Sequence, residues 1–329
     1  MLNARYGNVL IAAMAACLLP GVVAVAQFPS AQDKQEQQQE QSTIRVNVNL
    51  VLLEATVRKK SGEVIDNLKK DDFVVREDGK QQKLQQFSRD QIPLAMALVV
   101  DLSDSIKPFL GELRDASYVA LQTLKPDDQV ALYAFSTTPQ QLVPLTKDKR
   151  SVAEKFDTLE IGGSTNINGA IFEAAQYLLQ AAPNGRRVIV LISDNVPTDA
   201  GYVNPRDSIY ESLAADAAVY SLKVPGDNPL STRFAAAQIP GLIDVRKLCE
   251  QTGGEVFDVE KAGGVPTAFS ALIERVKTRY TLGYYSSANP ADGRLHKLDV
   301  ILASSFGKKG HDYTILSKSG FYFTPHADQ

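Results

Sequence analysis

The sequence is poor in the residues that build covalent or thiolate frameworks. It has two cysteines in 329 residues, which excludes a disulfide-dense scaffold or a four-cysteine zinc site. Its three histidines, His296, His311 and His326, sit near the C-terminus without ligand spacing. Neither sign of charge dominates: 35 Lys+Arg stand against 38 Asp+Glu, a formal net charge of -3. No basic field exists to release counterions from phosphates, so nucleic-acid binding is not expected. Glycine has no collagen-like excess, and 44% hydrophobic residues are too many for a wholly disordered chain. The length allows about two domains.

What is present begins with an address. In residues 1–26, Arg5 precedes an apolar run from Val9 to Leu19, then a Pro20-Gly21 break and Ala24-Val25-Ala26. This is the pattern of a cleaved secretory signal, and the run is shorter than the ~20 residues that span a bilayer. A secreted or periplasmic protein is expected. Lipoprotein anchoring at Cys17, in Met14-Ala15-Ala16-Cys17, is the alternative. No later segment is long and apolar enough to span a membrane. Residues 27–42 are Gln-rich and read as a disordered linker. Cleavage would leave Cys249 alone, in a helical pattern that makes it a buried small hydrophobe rather than a reactive thiol.

Residues 43–92 read as β. Apolar residues alternate from Ile44 to Leu52, and Glu77-Asp78-Gly79-Lys80 has a hairpin turn at its centre. Residues 93–280 switch to alternating β and α. The runs Leu94–Val100 and Arg187–Ile192 are nearly all apolar, as strands buried on both faces are. Helical spacing covers 106–124, 167–179, 206–216, 243–252 and 268–278. Residues 281–325 return to β. Tyr280, Tyr284 and Tyr285 alternate along a strand and are read as packing residues. The fold class is therefore α/β. A doubly wound, mainly parallel sheet is inserted in a small all-β sandwich formed by the N- and C-terminal segments.

Chemistry gathers at three places in the α/β region. The first apolar strand ends in Asp101-Leu102-Ser103-Asp104-Ser105, a D-x-S-x-S tract that aims three oxygens at one point. Gly162-Gly163-Ser164-Thr165-Asn166 precedes a helix, and its glycines allow close backbone approach. Ser193-Asp194-Asn195 ends a second apolar strand. Ligands of doubly wound sheets bind at the carboxyl ends of strands. Asp101, Ser103, Ser105, Thr165 and Asp194 supply only oxygen, which suits a hard cation: Mg2+, with Mn2+ possible. Helix capping by the serines is the bland alternative.

These motifs, in this order, resemble the von Willebrand factor type A domain with its metal-ion-dependent adhesion site. The resemblance covers residues 93–280. It implies a Rossmann-like fold, with Ser103, Ser105 and Thr165 as direct ligands and Asp101 and Asp194 acting directly or through water. It also implies an open metal position that accepts an Asp or Glu carboxylate from a partner protein. Two positions depart from the family pattern: Asn195 where glycine is common, and Ile106 where methionine often follows the second serine. The flanks, VNLVLLEATVRKKSGEVIDNLKKDDFVVREDGK and YTLGYYSSANPADGRLHKLDV, are similar to secreted bacterial proteins related to this family. No G-x-S-x-G elbow, P-loop, HExxH or Cys/His pair occurs, so a binding protein is expected and an enzyme, such as a hydrolase, is not. A structural envelope protein with a merely stabilising ion site is the alternative function.

Overall fold

The computed structural model describes residues 49–89, 91–226, 241–303 and 313–323. The expected signal (1–26), the Gln-rich linker (27–42) and Cys17 lie outside the described residues.

The first β segment forms β1 (Asn49–Lys59), β2 (Phe73–Glu77), β3 (Lys80–Gln82) and β4 (Leu84–Arg89). The α/β region contributes β5 (Leu94–Asp101), β6 (Gln129–Phe135), β7 (Pro139–Thr146), β8 (Arg186–Ser193), β9 (Ala217–Lys223) and β10 (Val256–Asp258). The last segment adds β11 (Tyr280–Ser286), β12 (His296–Leu302), β13 (Tyr313–Ser317) and β14 (Gly320–Phe321).

β10, β9, β8, β5, β6 and β7 form one six-stranded sheet in that order. All pairs are parallel except β6 with β7. Every residue of β5 is buried, because helices cover both faces of this central strand. Two apolar clusters mark the two faces. One packs Met96, Leu98 and Val100 under the helices that carry Leu113 and Phe269. The other packs Ala97, Val99 and Leu191 under those that carry Ile171 and Cys249.

The flanking segments meet in two four-stranded sheets, ordered β13-β1-β11-β4 and β14-β12-β2-β3. Both mix strands from before and after the α/β region. Leu53, Val57, Val75, Tyr280, Tyr284 and Val300 fill one core between them. Tyr280 and Tyr284 are packing residues, as their alternation predicts, while Tyr285 faces solvent.

Three local departures from the sequence reading have simple causes. The helix expected over 106–124 starts as a 3-10 turn, Asp104–Phe109, and becomes α only over Leu110–Leu121. Pro108 lies in the turn and has no N–H to continue an α ladder. β7 is an antiparallel edge strand with Pro139 and Pro144, residues that an edge tolerates and a strand pattern hides. Helix 268–278 begins earlier, at Val265, with a proline in its first turn.

The two parts meet through buried charge. Arg279 donates from Nη1 to Glu54 Oε2 at 2.7 Å and from Nη2 to the Gly253 carbonyl, and its guanidinium lies 5.4 Å from the centre of the Tyr220 ring. Lys318 Nζ donates to Asp216 Oδ1 at 2.7 Å and to the Leu52 carbonyl at 2.9 Å. Among the described residues, no helix is long and apolar enough to cross a membrane.

Candidate metal centre

The parallel register sets the site. Val100 of β5 lies beside Ile192 of β8, so one step further Asp101 meets Ser193. Ser193 Oγ donates to Asp101 Oδ2 at 2.7 Å, and the Ser103 N–H donates to Asp101 Oδ1 at 2.9 Å. Asp101 is fully buried. Burial pushes its carboxyl up to about 6, partly opposed by these hydrogen bonds, and the nearby Asp194 charge raises it further.

Ser103 occupies the N-cap position of the 3-10 turn but makes no side-chain cap bond. Its Oγ lies 2.9 Å from Ser105 Oγ instead. The serines therefore pair with each other, and helix capping does not account for Ser103. Asp104 points to solvent.

The glycine loop docks on this tract. Gly162 N–H donates to the Leu102 carbonyl at 2.8 Å. Gly163 has φ 96, and a Cβ there would stand 2.8 Å from Ser136 Cβ, so only glycine fits. Asn166 caps helix Ile167–Ala181 by accepting from Gly169 N. Thr165 is buried between these anchors. Its N–H donates to Thr198 Oγ1 at 2.8 Å, and its carbonyl accepts from Thr198 N and Asp199 N. Among the described contacts, no hydrogen bond joins the Thr165 hydroxyl to the serine pair.

Asp194 Oδ1 accepts from Val196 N at 2.9 Å. On its other side, a Cβ on Gly226 would lie 2.8 Å from Asp194 Oδ2, so backbone approaches this carboxylate closely. Asn195 has φ 63, and its Oδ1 accepts from Ser221 Oγ at 2.9 Å. Asparagine tolerates the left-handed region, which explains how it serves where the family commonly has glycine.

Hydrogen bonds thus join Asp101, Ser103 and Ser105. Asp194 acts on Asp101 through its charge, and Thr165 sits on the docked loop. Two residues escaped the sequence reading. Ser193 orients Asp101, a role that the β5–β8 register would have disclosed. Asp199 accepts from Ser164 Oγ at 2.9 Å, and Thr137 Oγ1 lies 2.9 Å from the same hydroxyl. Only the folded loop brings those three together.

The fold and site define a doubly wound α/β domain with hydroxyls and carboxylates gathered at the carboxyl ends of its central strands. Residues 96–196 match the family model of the von Willebrand factor type A domain. A "UPF0353 protein" of Mycolicibacterium paratuberculosis is 25% identical over 228 residues, 63% of this chain and 66% of that relative's length. Two solved structures are also similar. An aerotolerance-related membrane protein from Bacteroides fragilis has 17% identity and a TM-score of 0.44, covering 56% of this chain and 98% of its own. A von Willebrand factor type A protein from Catenulispora acidiphila has 10% identity and a TM-score of 0.43, covering 83% and 74%.

Proposed function

We propose that Asp101, Ser103, Ser105, Thr165 and Asp194 hold a Mg2+ ion, or Mn2+ in its place, and that the site binds an Asp or Glu carboxylate of a partner protein. The observation that carries this reading is the Ser103–Ser105 hydroxyl pair, 2.9 Å apart, next to the buried Asp101 carboxylate and the charge of Asp194. Oxygen-only donors suit a hard cation. When bound, such a cation supplies a Lewis-acidic position for an incoming carboxylate.

The chain's own residues prepare that position. Ser193 and the Ser103 N–H fix both oxygens of Asp101, so the carboxylate is oriented before any ligand arrives. Neutral hydroxyls from the two serines and Thr165 leave the cation's charge largely unspent. The β5–β8 register sets Asp101 against Ser193, and the docked glycine loop brings Thr165 to the same end of the sheet.

In this reading residues 1–26 are a cleaved export signal and 27–42 a linker. Residues 93–280 are the binding domain, carried by a sandwich of 43–92 and 281–325, and the protein works in the periplasm or outside the cell. It binds and does not catalyse. The second reading, an ion site that only stabilises an envelope protein, draws on the same internal bonding of Asp101.

The test is thermal melting of the full chain in Mg2+ and in EDTA, paired with capture of a partner. Mg2+ should raise the melting temperature, Asp101→Ala should abolish the rise, and EDTA should release the captured protein. A Mg2+ effect without an EDTA-released partner favours the stabilising reading. No Mg2+ effect at millimolar ion overturns both.

A further inference from the structure

The sandwich carries a second polar cluster, remote in sequence from the five residues above. The β2–β3 hairpin turns through Asp78 and Gly79, at φ 49 and 82. β12 pairs antiparallel with β2, Leu298 opposite Glu77, which brings His296 to the same end. His296 is fully buried and walled by Phe321 and Phe323, with ring centroids 5.2 and 5.3 Å away. Its Nδ1 lies 3.1 Å from Asp78 Oδ2 and 3.3 Å from Glu77 Oε1, and its Nε2 lies 3.3 Å from Asp292 Oδ1. Arg294 bonds Asp78 Oδ2 at 2.8 Å and Asp292 Oδ2 at 2.9 Å.

Hydrogen bonding does not close this cluster. Nδ1 faces two carboxylate oxygens but carries at most one proton. Glu77 is 4% exposed; its Oε1 accepts from Ser286 Oγ at 2.8 Å, yet its Oε2 has no hydrogen-bond partner. The buried Tyr284 hydroxyl faces the Glu77 carboxyl and interacts with it, outside the geometry of a full hydrogen bond. Buried polar atoms are rarely left bare, because each loses its water without replacement. The charge is also unbalanced, with the carboxylates of Glu77, Asp78 and Asp292 against the single fixed cation of Arg294.

We propose that Glu77, Asp78 and His296 Nδ1 form a binding site for a divalent transition-metal ion of the Zn2+ class. Their donor atoms all lie within 4.8 Å of one another. The 3.1 and 3.3 Å separations from Nδ1 are close to the ~3.4 Å edge of a tetrahedron with metal–ligand bonds near 2.1 Å. One imidazole with two carboxylates suits Zn2+ or Mn2+ better than Mg2+. Asp292 completes a carboxylate–histidine–metal arrangement: by accepting Nε2–H it fixes the ring tautomer that leaves Nδ1 free to bind. Arg294 contacts Asp78 Oδ2, whose second lone pair remains available. Asp78 is partly exposed and gives the ion a way in.

The site is independent of the proposed Mg2+ position, so the test separates them. The metal-stripped full chain, kept in millimolar Mg2+, is titrated with Zn2+ against a chromogenic chelator. One equivalent should bind in the wild type and in Asp101→Ala. Asp292→Asn should keep the stoichiometry and weaken affinity ~10–100-fold, and His296→Gln should lose at least as much. Wild type that binds no zinc, or His296→Gln that binds it equally, overturns the proposal and leaves a histidine hydrogen-bonded among carboxylates. If His296→Gln fails to fold, zinc-edge X-ray absorption of the wild type decides. A shell of one nitrogen with oxygens near 2.1 Å sustains the site, and any sulfur- or water-only shell removes it.

Discussion

Removing the charge of Glu54 should destabilise the whole protein as strongly as a large core truncation. Arg279 is 3% exposed in its side chain, Arg186 8%, and Glu54, between them, 17%. Its Oε2 accepts from Arg279 at 2.7 Å, and its Oε1 lies 3.6 Å from Arg186 Nε. Arg186 Nε and Nη1 make no hydrogen bond of their own, so this carboxylate is the main compensation for two sequestered guanidiniums. An exposed pair would contribute at most about 1 kcal/mol, but breaking a buried pair from one side costs about 3–5 kcal/mol. Glu54→Gln keeps the shape and deletes the charge. The compact unit runs from Asn47 to Gln329, so its unfolding entropy is roughly 0.6 kcal/mol/K, and the loss corresponds to a melting temperature lower by about 5–8 °C. Urea unfolding should show the same loss at unchanged m-value. The double variant Glu54→Gln, Arg279→Met should recover part of it, with a coupling of about 1–3 kcal/mol. A single-variant loss below about 1 kcal/mol, or a coupling near zero, would refute the reasoning.

Three further outcomes follow from the same contacts. In EDTA, the raised Asp101 carboxyl binds its proton more tightly in the fold than in the unfolded chain. Its contribution is complete below the ordinary value of 3.8 and lost as pH rises through about 6, which amounts to about 3 kcal/mol; Asp101→Asn should flatten that pH dependence, and an unchanged profile would contradict it. Gly226→Ala would set a Cβ 2.8 Å from Asp194 Oδ2, so it should weaken any Mg2+-induced rise in melting temperature while leaving the EDTA value nearly unchanged. Cys249 is buried and unpaired, and burial pushes its thiol well above the usual range. In native protein Cys249 should therefore react with a thiol reagent only at its opening rate, far slower than in denatured protein.

The central sheet was legible because burial on both faces writes an unbroken apolar run, as in LAMALVV before Asp101. The acid at the end of that run, and the loop glycines before Asn166, followed from the same logic. The sequence could place Thr165 on a loop but could not aim its hydroxyl, which depends on docking through Gly162 and Thr198. β7 was illegible because its prolines, which an edge strand accepts, break up the short apolar pattern of Leu142, Val143 and Leu145 that packs on the core. The cluster at His296 was illegible for a different reason. Its partner Asp78 lies 218 positions away, with Glu77 next to it, and ligand spacing read along a chain cannot register a meeting made by β2 and β12.

The interleaving of the sandwich also sets an order of events during synthesis. Among the described residues, β4 pairs only with β11, and β1 pairs with β11 and β13. Until Tyr280 has been made, neither strand has a ladder in this sheet, although all six strands of the central sheet already exist. The early strands must wait through the birth of the domain they will carry. A chain stopped just short of residue 280 would leave the central sheet complete beside two open strand edges, the kind of surface that recruits other chains. The junction held by Arg279 lies one residue before β11 begins, so the same short stretch of elongation that closes the sandwich also fastens it to the finished domain.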